Sequence, residues 1–148
     1  PPNSSDGYKL FQAMINSGLL LAGVVDYYSG DNLNFDYDGI LTAYEAQNLW
    51  LDSTQLVILS ACETGLGEVD AGEGVYGLQR AFRAAGARSI MTSLWKVDDQ
   101  ATRDFMIYFY QNYLETRDKF AAYTYAIENL RKEYPDPFYW GAFVLTGM

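Results

Sequence analysis

The stretch of sequence that decides the fold runs from Leu56 to Trp95, LVILSACETGLGEVDAGEGVYGLQRAFRAAGARSIMTSLW. It opens with a continuous apolar run, passes through a glycine-rich segment, continues with apolar residues at helical spacing and ends with a second apolar run. Continuous rather than alternating hydrophobicity is typical of strands that are buried on both faces of a parallel sheet. We therefore predict a strand over 55–61, a helix over 75–85 and a strand over 89–95.

The rest of the chain continues this alternation. Apolar runs predict two more strands, and apolar residues at helical spacing predict three more helices. These are a strand over 17–25, helices over 40–50, 100–115 and 120–134, and a strand over 138–146. Such an order is typical of an α/β fold with an open, mostly parallel sheet and helices on its faces.

Composition and charge exclude several classes of protein. The chain has 148 residues, of which 49% are apolar, so it can bury a core and is not a disordered segment. Its net charge is −9 and no basic residues cluster, so we expect no nucleic-acid partner. No apolar run approaches the ~20 residues of a membrane-spanning helix, and no signal peptide is visible. We expect no membrane association.

The chain holds one cysteine and no histidine. A lone cysteine cannot form an internal disulfide, which argues against a disulfide-rich secreted protein and favours a cytoplasmic setting. Without histidine, the chain alone cannot supply an imidazole base. The usual zinc sites are excluded as well, because they need several histidine or cysteine ligands. We predict neither a metal nor a cofactor.

The single cysteine, Cys62, directly follows the first apolar run and precedes the glycine-rich segment. In open α/β sheets, functional residues lie just beyond the carboxyl ends of the strands. A thiol there would be held by a rigid strand, and its own backbone N–H could donate to a substrate carbonyl. A free cysteine is also a common small buried residue. The position alone leaves a nucleophile and a structural residue both open.

The run from Leu56 to Thr102 resembles the core of the CHAT family, caspase-like domains that are often joined to TPR repeats in bacteria. The segments SACETGLG and SLWKVDDQAT carry the resemblance, and SGLLLAG upstream and FYWGAFVLTG downstream extend it. It covers nearly the whole chain. We therefore expect residues 1–148 to form a single CHAT-type domain whose amino-terminal part, with the catalytic histidine, is missing.

The resemblance implies a three-layer α/β/α fold similar to that of caspases, gingipains and separases, and a cysteine endopeptidase with Cys62 as its nucleophile. The family's histidine belongs to a His-Gly motif shortly before the segment that starts here at Ser17, so we expect it upstream of Pro1. The expected partners are a protein substrate and a fused or bound regulatory partner such as a TPR domain. Specificity for aspartate is not implied, because the residues around Cys62 depart from the caspase signature Q-A-C-[RQG]-G.

Four further residues are candidates for the substrate pocket. In caspase-like folds the residue two before the cysteine, here Ser60, lines the first pocket. The loop after the next strand, from Trp95 to Asp99, is expected to form another wall, where Asp98 or Asp99 could bind a basic side chain. An aspartate before a helix is also a common cap, and a tryptophan there is equally compatible with the core.

Two other functions remain open at this point. The absence of histidine is compatible with a non-catalytic interaction module on the same fold. An unrelated α/β enzyme acting on a small molecule is the third hypothesis, and tight binding of a metabolite at the strand ends would favour it.

Overall fold

The computed structural model describes residues 14–21, 24, 38–60 and 71–147, with the side chains of 71–75 excepted. The helices and strands of these ranges are β1 (Gly18–Leu20), β2 (Ile40–Thr42), α1 (Ala43–Ala46), β3 (Val57–Leu59), α2 (Ala71–Ala84), β4 (Ser89–Ser93), α3 (Asp99–Thr116), α4 (Lys119–Glu133), α5 (Pro137–Trp140) and β5 (Phe143–Gly147). The mixed α/β composition is confirmed.

The chain divides into two compact units, residues 1–55 with 63–88 and residues 56–62 with 89–148. They are called the first and the second unit below.

In the first unit, β1 and β2 pair antiparallel, with Leu19 opposite Leu41. The helix predicted over 40–50 is wrong in its first residues, which belong to β2. The helix begins only after Thr42, whose side chain accepts from the backbone N–H of Glu45 at 3.2 Å. The Glu45 carboxylate in turn accepts from the backbone N–H of Thr42 at 2.9 Å. This reciprocal capping box fixes the start of α1 at Ala43. The spacing Thr-x-x-Glu is the sequence pattern typical of such a box.

Helix α2 ends where the sequence predicts a stop, just before Gly86. This glycine has a φ of +105°, which L side chains rarely adopt. A Cβ at Gly86 would also lie 2.7 Å from Oδ1 of Asp52. Next to it, the backbone N–H of Leu51 donates to the carbonyl of Ala85 at 2.8 Å. The turn after α2 therefore requires glycine for both its backbone angle and its close approach to the chain near Asp52.

The second unit contains a three-stranded sheet in the order β3-β4-β5. Strand β3 runs parallel to β4, and β4 runs antiparallel to β5. Among the described strands, one pairing is therefore parallel and two, including β1 with β2, are antiparallel. The mostly parallel sheet of the sequence prediction is not found in this part of the chain. Strand β5 is antiparallel to β4 because the intervening helices bring the chain back to the carboxyl end of β4. There β5 begins, with Phe143 opposite Ser93.

The strand predicted over 138–146 is confirmed only in its second half. Its first residues form the short helix α5, because Asp136 caps the backbone N–H of Phe138 at 2.9 Å and Pro137 occupies the first helical position. Proline is favoured there because its fixed φ suits the helix and its missing N–H has no partner to lose. Gly141 ends this turn, and β5 begins two residues later.

Helices α3 and α4 pack on the sheet face that carries Met91 and Phe143. The part of the core that α4 contributes includes two alanines, Ala122 and Ala126, and small residues allow helices to approach closely. The fully or almost fully buried members of this core are Met91, Val97, Ala101, Phe105, Phe109, Ala122, Ala126, Leu130, Ala142 and Phe143. The ring of Phe105 stacks on that of Phe143 with centroids 4.0 Å apart. The helical periodicity predicted over 100–115 and 120–134 thus has its apolar face on the sheet.

Two tyrosine–carboxylate bonds tie α3 to the end of α4. The hydroxyl of Tyr108 donates to Glu133, and that of Tyr134 donates to Asp104 at 2.9 Å. The bond to Glu133, with smaller contributions from burial and neighbouring charges, raises the pKa of Tyr108 to about 12. The bond to Asp104 likewise raises the pKa of Tyr134 above its usual value. Both phenols are therefore held in their neutral, donating form.

Candidate active site

The carboxyl ends of β3 and β4 meet at one edge of the sheet of the second unit. Because the two strands are parallel and Leu59 lies opposite Thr92, the residues that follow them emerge side by side. Ser60 is the first residue after β3 and is exposed. Trp95 lies two residues beyond the end of β4. The structure thus brings two of the predicted pocket residues to the edge at which α/β sheets carry their sites.

Cys62 lies outside the described residues, which stop at Ser60 and resume at Ala71. Its role as the nucleophile therefore stays a prediction. The last described residue before it is Ser60, which directly follows β3.

Trp95 is held in place by the turn that precedes β5. Its indole N–H donates to the backbone carbonyl of Phe138 at 2.9 Å, and the two rings lie 6.3 Å apart. The indole nevertheless remains 37% exposed. Trp95 is therefore not a core residue, and an oriented, partly exposed aromatic side chain stands at the edge of the sheet.

Asp98 caps α3. Its Oδ1 accepts from the backbone N–H groups of Gln100 and Ala101 at 2.9 and 3.2 Å, which satisfies two donors of the first turn. The capping role that the sequence left open is thus present. Asp99 is the first residue of the helix and is exposed, where its negative charge is favoured by the helix dipole. Binding of a basic side chain by either carboxylate stays a prediction.

Phe138 is the residue at this edge that sequence reasoning missed. It was assigned to a strand, whereas it lies in α5, with 49% of its side chain exposed beside Trp95. A signal was present in Asp136-Pro137, an N-cap residue followed by proline at the first helical position. Its partnership with Trp95, 43 residues away along the chain, has no sequence signal.

The described residues contain neither a metal-binding cluster nor a membrane-spanning helix. Across residues 14–21, 24, 38–60 and 71–147, no group of three or more metal-ligating side chains is close enough to hold an ion. Within the same ranges, no helix combines the length and the apolar character needed to cross a bilayer.

Comparison with known proteins identifies the family. The family model for the CHAT domain matches residues 5–148, nearly the whole chain. This chain belongs to the CHAT domain family. The resemblance predicted from the SACETG and SLW segments is confirmed, and with it a relationship to the caspase-like fold and to cysteine peptidases.

Two curated relatives are mammalian. The chain is 34% identical over 110 residues to tetratricopeptide repeat protein 28 of Mus musculus, and equally identical to the Homo sapiens protein of the same name. Each match covers 73% of this chain and 4% of the relative, so the chain spans a small fraction of these proteins. Both names agree with the predicted association of CHAT domains with TPR repeats. No solved structure matches the chain significantly.

Proposed function

We propose that this CHAT domain is a caspase-like cysteine endopeptidase domain that cleaves protein substrates, with Cys62 as its nucleophile and a histidine supplied from upstream of this chain. One observation carries the proposal: Ser60, directly before Ala61-Cys62, emerges beside the end of β4 in a member of a family related to cysteine peptidases. The proposed fold is the three-layer α/β/α arrangement of that clan.

The proposed reaction is acyl transfer through the thiol. The Cys62 thiolate attacks the peptide carbonyl, a C–S bond forms, and the oxyanion accepts from the Cys62 backbone N–H. The upstream histidine donates a proton to the leaving amine as the C–N bond breaks. Water, deprotonated by the same histidine, then hydrolyses the thioester and frees the thiol. Neither metal nor cofactor is needed for these steps.

The proposed substrate pocket is formed by Ser60, Trp95, Asp98 and Asp99. Trp95 is suited to a pocket wall because its ring is oriented by the Phe138 carbonyl and is still partly exposed. Of the two carboxylates, Asp99 is the better candidate for a basic substrate side chain, because an oxygen of Asp98 already accepts two backbone bonds. A protein substrate with a basic residue at the cleaved bond fits this pocket.

A regulatory partner is the second part of the proposal. The mammalian relatives carry TPR in their names, and TPR arrays present extended concave surfaces that bind proteins. A fused or bound TPR domain is therefore the expected regulator. A cytoplasmic location agrees with the single cysteine of the chain.

The alternative is a non-catalytic interaction module on the same fold. The observation that favours it is the complete absence of histidine from the 148 residues. On this alternative, the edge that carries Ser60 and Trp95 binds a protein segment without cleaving it.

Comparison of wild-type protein with its Cys62→Ala variant tests the proposal. The whole protein that carries this chain is incubated with a proteome-derived peptide library, and new N-termini are identified by mass spectrometry. We expect cleavage by the wild type and a loss of at least ~1,000-fold in the variant, since the nucleophile is removed. Ser53→Ala, an equally small change at an exposed position of the first unit, serves as the control and should cleave normally.

Equal cleavage by the Cys62→Ala variant would show that another protein or residue is responsible. A parent protein without a histidine upstream of Pro1, or retained binding of peptides with no cleavage by the wild type, would establish the non-catalytic module instead.

A further inference from the structure

A cleft of about 400 Å³ opens in the second unit between α4, α5 and β5. None of Ser60, Trp95, Asp98 and Asp99 lines it. Its walls include Tyr123, Ile127, Glu128, Arg131, Trp140 and Val144. The cleft therefore combines apolar surface with charged groups and one indole.

Two hydrogen-bond donors on residues that line this cleft have no protein acceptor within the described ranges. The indole N–H of Trp140 is closed to solvent and has no partner among the residues that the structure describes. The guanidinium of Arg131 lies over the Trp140 ring, 4.7 Å from its centroid, and makes no hydrogen bond or ion pair within the same described ranges. An unsatisfied buried donor costs free energy, about 1–3 kcal/mol in typical cases, which an acceptor would recover.

The geometry points to a ligand, and we propose that this cleft binds a carboxylate group. One carboxylate oxygen accepts from the Arg131 guanidinium and the other from the Trp140 indole N–H. A carboxylate suits this pair because its two oxygens accept side by side, and because bonds to a guanidinium are stronger when the acceptor is charged. Because the Trp140 N–H is closed to solvent in the structure, binding requires Arg131 to swing from the ring face and open a path to it, which its exposed and flexible side chain allows.

The other residues that line the cleft indicate which carboxylates it can bind. Ile127 and Val144 offer apolar surface for a hydrocarbon tail next to the bound carboxylate. Glu128 precedes Arg131 by three residues on α4, on the same helix face, and disfavours additional negative charge. The cleft is therefore suited to a monocarboxylate with an apolar tail. Two sources carry that chemistry, a free carboxylic acid and the carboxyl terminus of a peptide.

Hexanoate is the probe for the free acid, and its amide, hexanamide, is the matched neutral control. The indole N–H signals of the three tryptophans are followed in nitrogen–proton correlation spectra of the full 148-residue chain, and Trp140→Phe assigns the relevant signal. We expect hexanoate to shift the Trp140 signal saturably while hexanamide does not. A tripeptide ending in leucine, with a free or an amidated terminus, distinguishes the second source.

The variants Arg131→Gln and Lys132→Gln form a matched pair on α4, since each removes one positive charge from neighbouring exposed residues. Loss of Arg131 should weaken hexanoate binding about tenfold or more. Loss of Lys132, whose ammonium donates to Asn129, should leave it within about twofold. Glu128→Gln should strengthen binding about twofold, because it removes an exposed charge that repels the carboxylate.

Three results would overturn the site: no saturable shift of the Trp140 signal with either carboxylate, an equal shift with hexanamide, or equal loss of binding in the Arg131 and Lys132 variants. None of these readouts involves Cys62 or cleavage. The carboxylate site therefore stands or fails independently of the peptidase proposal.

Discussion

Two aromatic pairs of the second unit have very different surroundings. Phe105 and Phe143 stack at 4.0 Å with nearly parallel rings, and both are almost fully buried. Trp95 and Phe138 lie 6.3 Å apart, tilted by 31°, and both remain more than a third exposed. The first pair is held by burial on the sheet face. The second is held by one hydrogen bond and stands at the edge where substrate is proposed to bind.

The difference in burial distinguishes aromatic residues that stabilise the fold from those whose surface remains available to a ligand. Burial of a whole phenylalanine side chain contributes about 1.5–3 kcal/mol before any gain from close packing. A half-exposed ring contributes less, but it retains surface that a ligand can cover. The pair Trp95–Phe138 therefore contributes little to stability. Its orientation by a backbone carbonyl suits a recognition surface.

The largest expected effect concerns the buried pair. Phe105→Ala should lower the free energy of unfolding by about 3–5 kcal/mol, because it leaves a cavity against Phe143. Phe138→Ala, the same chemical change at an exposed position, should cost less than about 1 kcal/mol. Urea denaturation of both variants, followed by circular dichroism, measures the contrast. Similar losses in the two variants would mean that the exposed pair is as important to stability as the core.

The second effect concerns the two carboxylates beyond Trp95. Asp98→Ala removes the cap of α3 and should lower the free energy of unfolding by about 1 kcal/mol. Asp99→Ala removes only a favourable charge in the first turn and should cost about 0.3 kcal/mol or less. If Asp99 binds a basic substrate side chain, its replacement should instead raise the KM for peptides with arginine at the cleaved bond. Urea denaturation midpoints of the two variants check the stability losses. The KM values for two peptides, with arginine or alanine at the cleaved bond, check the role of Asp99 in binding.

The third effect tests how the exposed pair is oriented. Trp95→Phe keeps an aromatic ring but loses the N–H that donates to the Phe138 carbonyl, which should cost about 0.5 kcal/mol at this partly exposed position. If the chain has the proposed peptidase activity, kcat/KM should fall while the fold remains intact. Trp50→Phe is the control, since Trp50 is 93% exposed in the first unit and should affect neither quantity. An unchanged kcat/KM in Trp95→Phe would remove Trp95 from the proposed pocket.

The same contrast explains how far the sequence predicts this molecule. The core helices follow from periodic apolar residues, and the ends of α2 and α4 from Gly86 and Pro135, because these signals are local. The antiparallel pairing of β5 and the bond between Trp95 and Phe138 join distant segments and leave no local pattern. The assignment of 138–146 to one strand failed because β-forming aromatic residues outweighed the cap at Asp136. At the site, the sequence placed Ser60 and Trp95 after two strands and left the capping role of Asp98 or Asp99 open, and it missed Phe138.

The smallest expected effect concerns the surface bond between Tyr108 and Glu133, which joins the two helices that cover the buried aromatic pair. In the folded chain, the pKa of Tyr108 is raised from 10.0 to about 12, mainly by this bond. Below pH 10 the phenol is protonated in both the folded and the unfolded chain, so its contribution to stability is fully present. Above pH 10 the unfolded chain loses the proton first, and the contribution is lost as the pH rises towards 12.

Tyr108→Phe should therefore be slightly less stable than the wild type at pH 8, and the difference should shrink between pH 10 and pH 12. Because the phenol lies at the surface, the effect should be small and weaker in high salt. Urea midpoints of the two proteins across this range measure it. Tyr110→Phe, which lies two residues further along α3 and has no carboxylate bond within the described ranges, is the matched control and should show no such trend. A constant difference between wild type and Tyr108→Phe at all pH values would mean that the ring, rather than the bond to Glu133, supports the packing of the two helices.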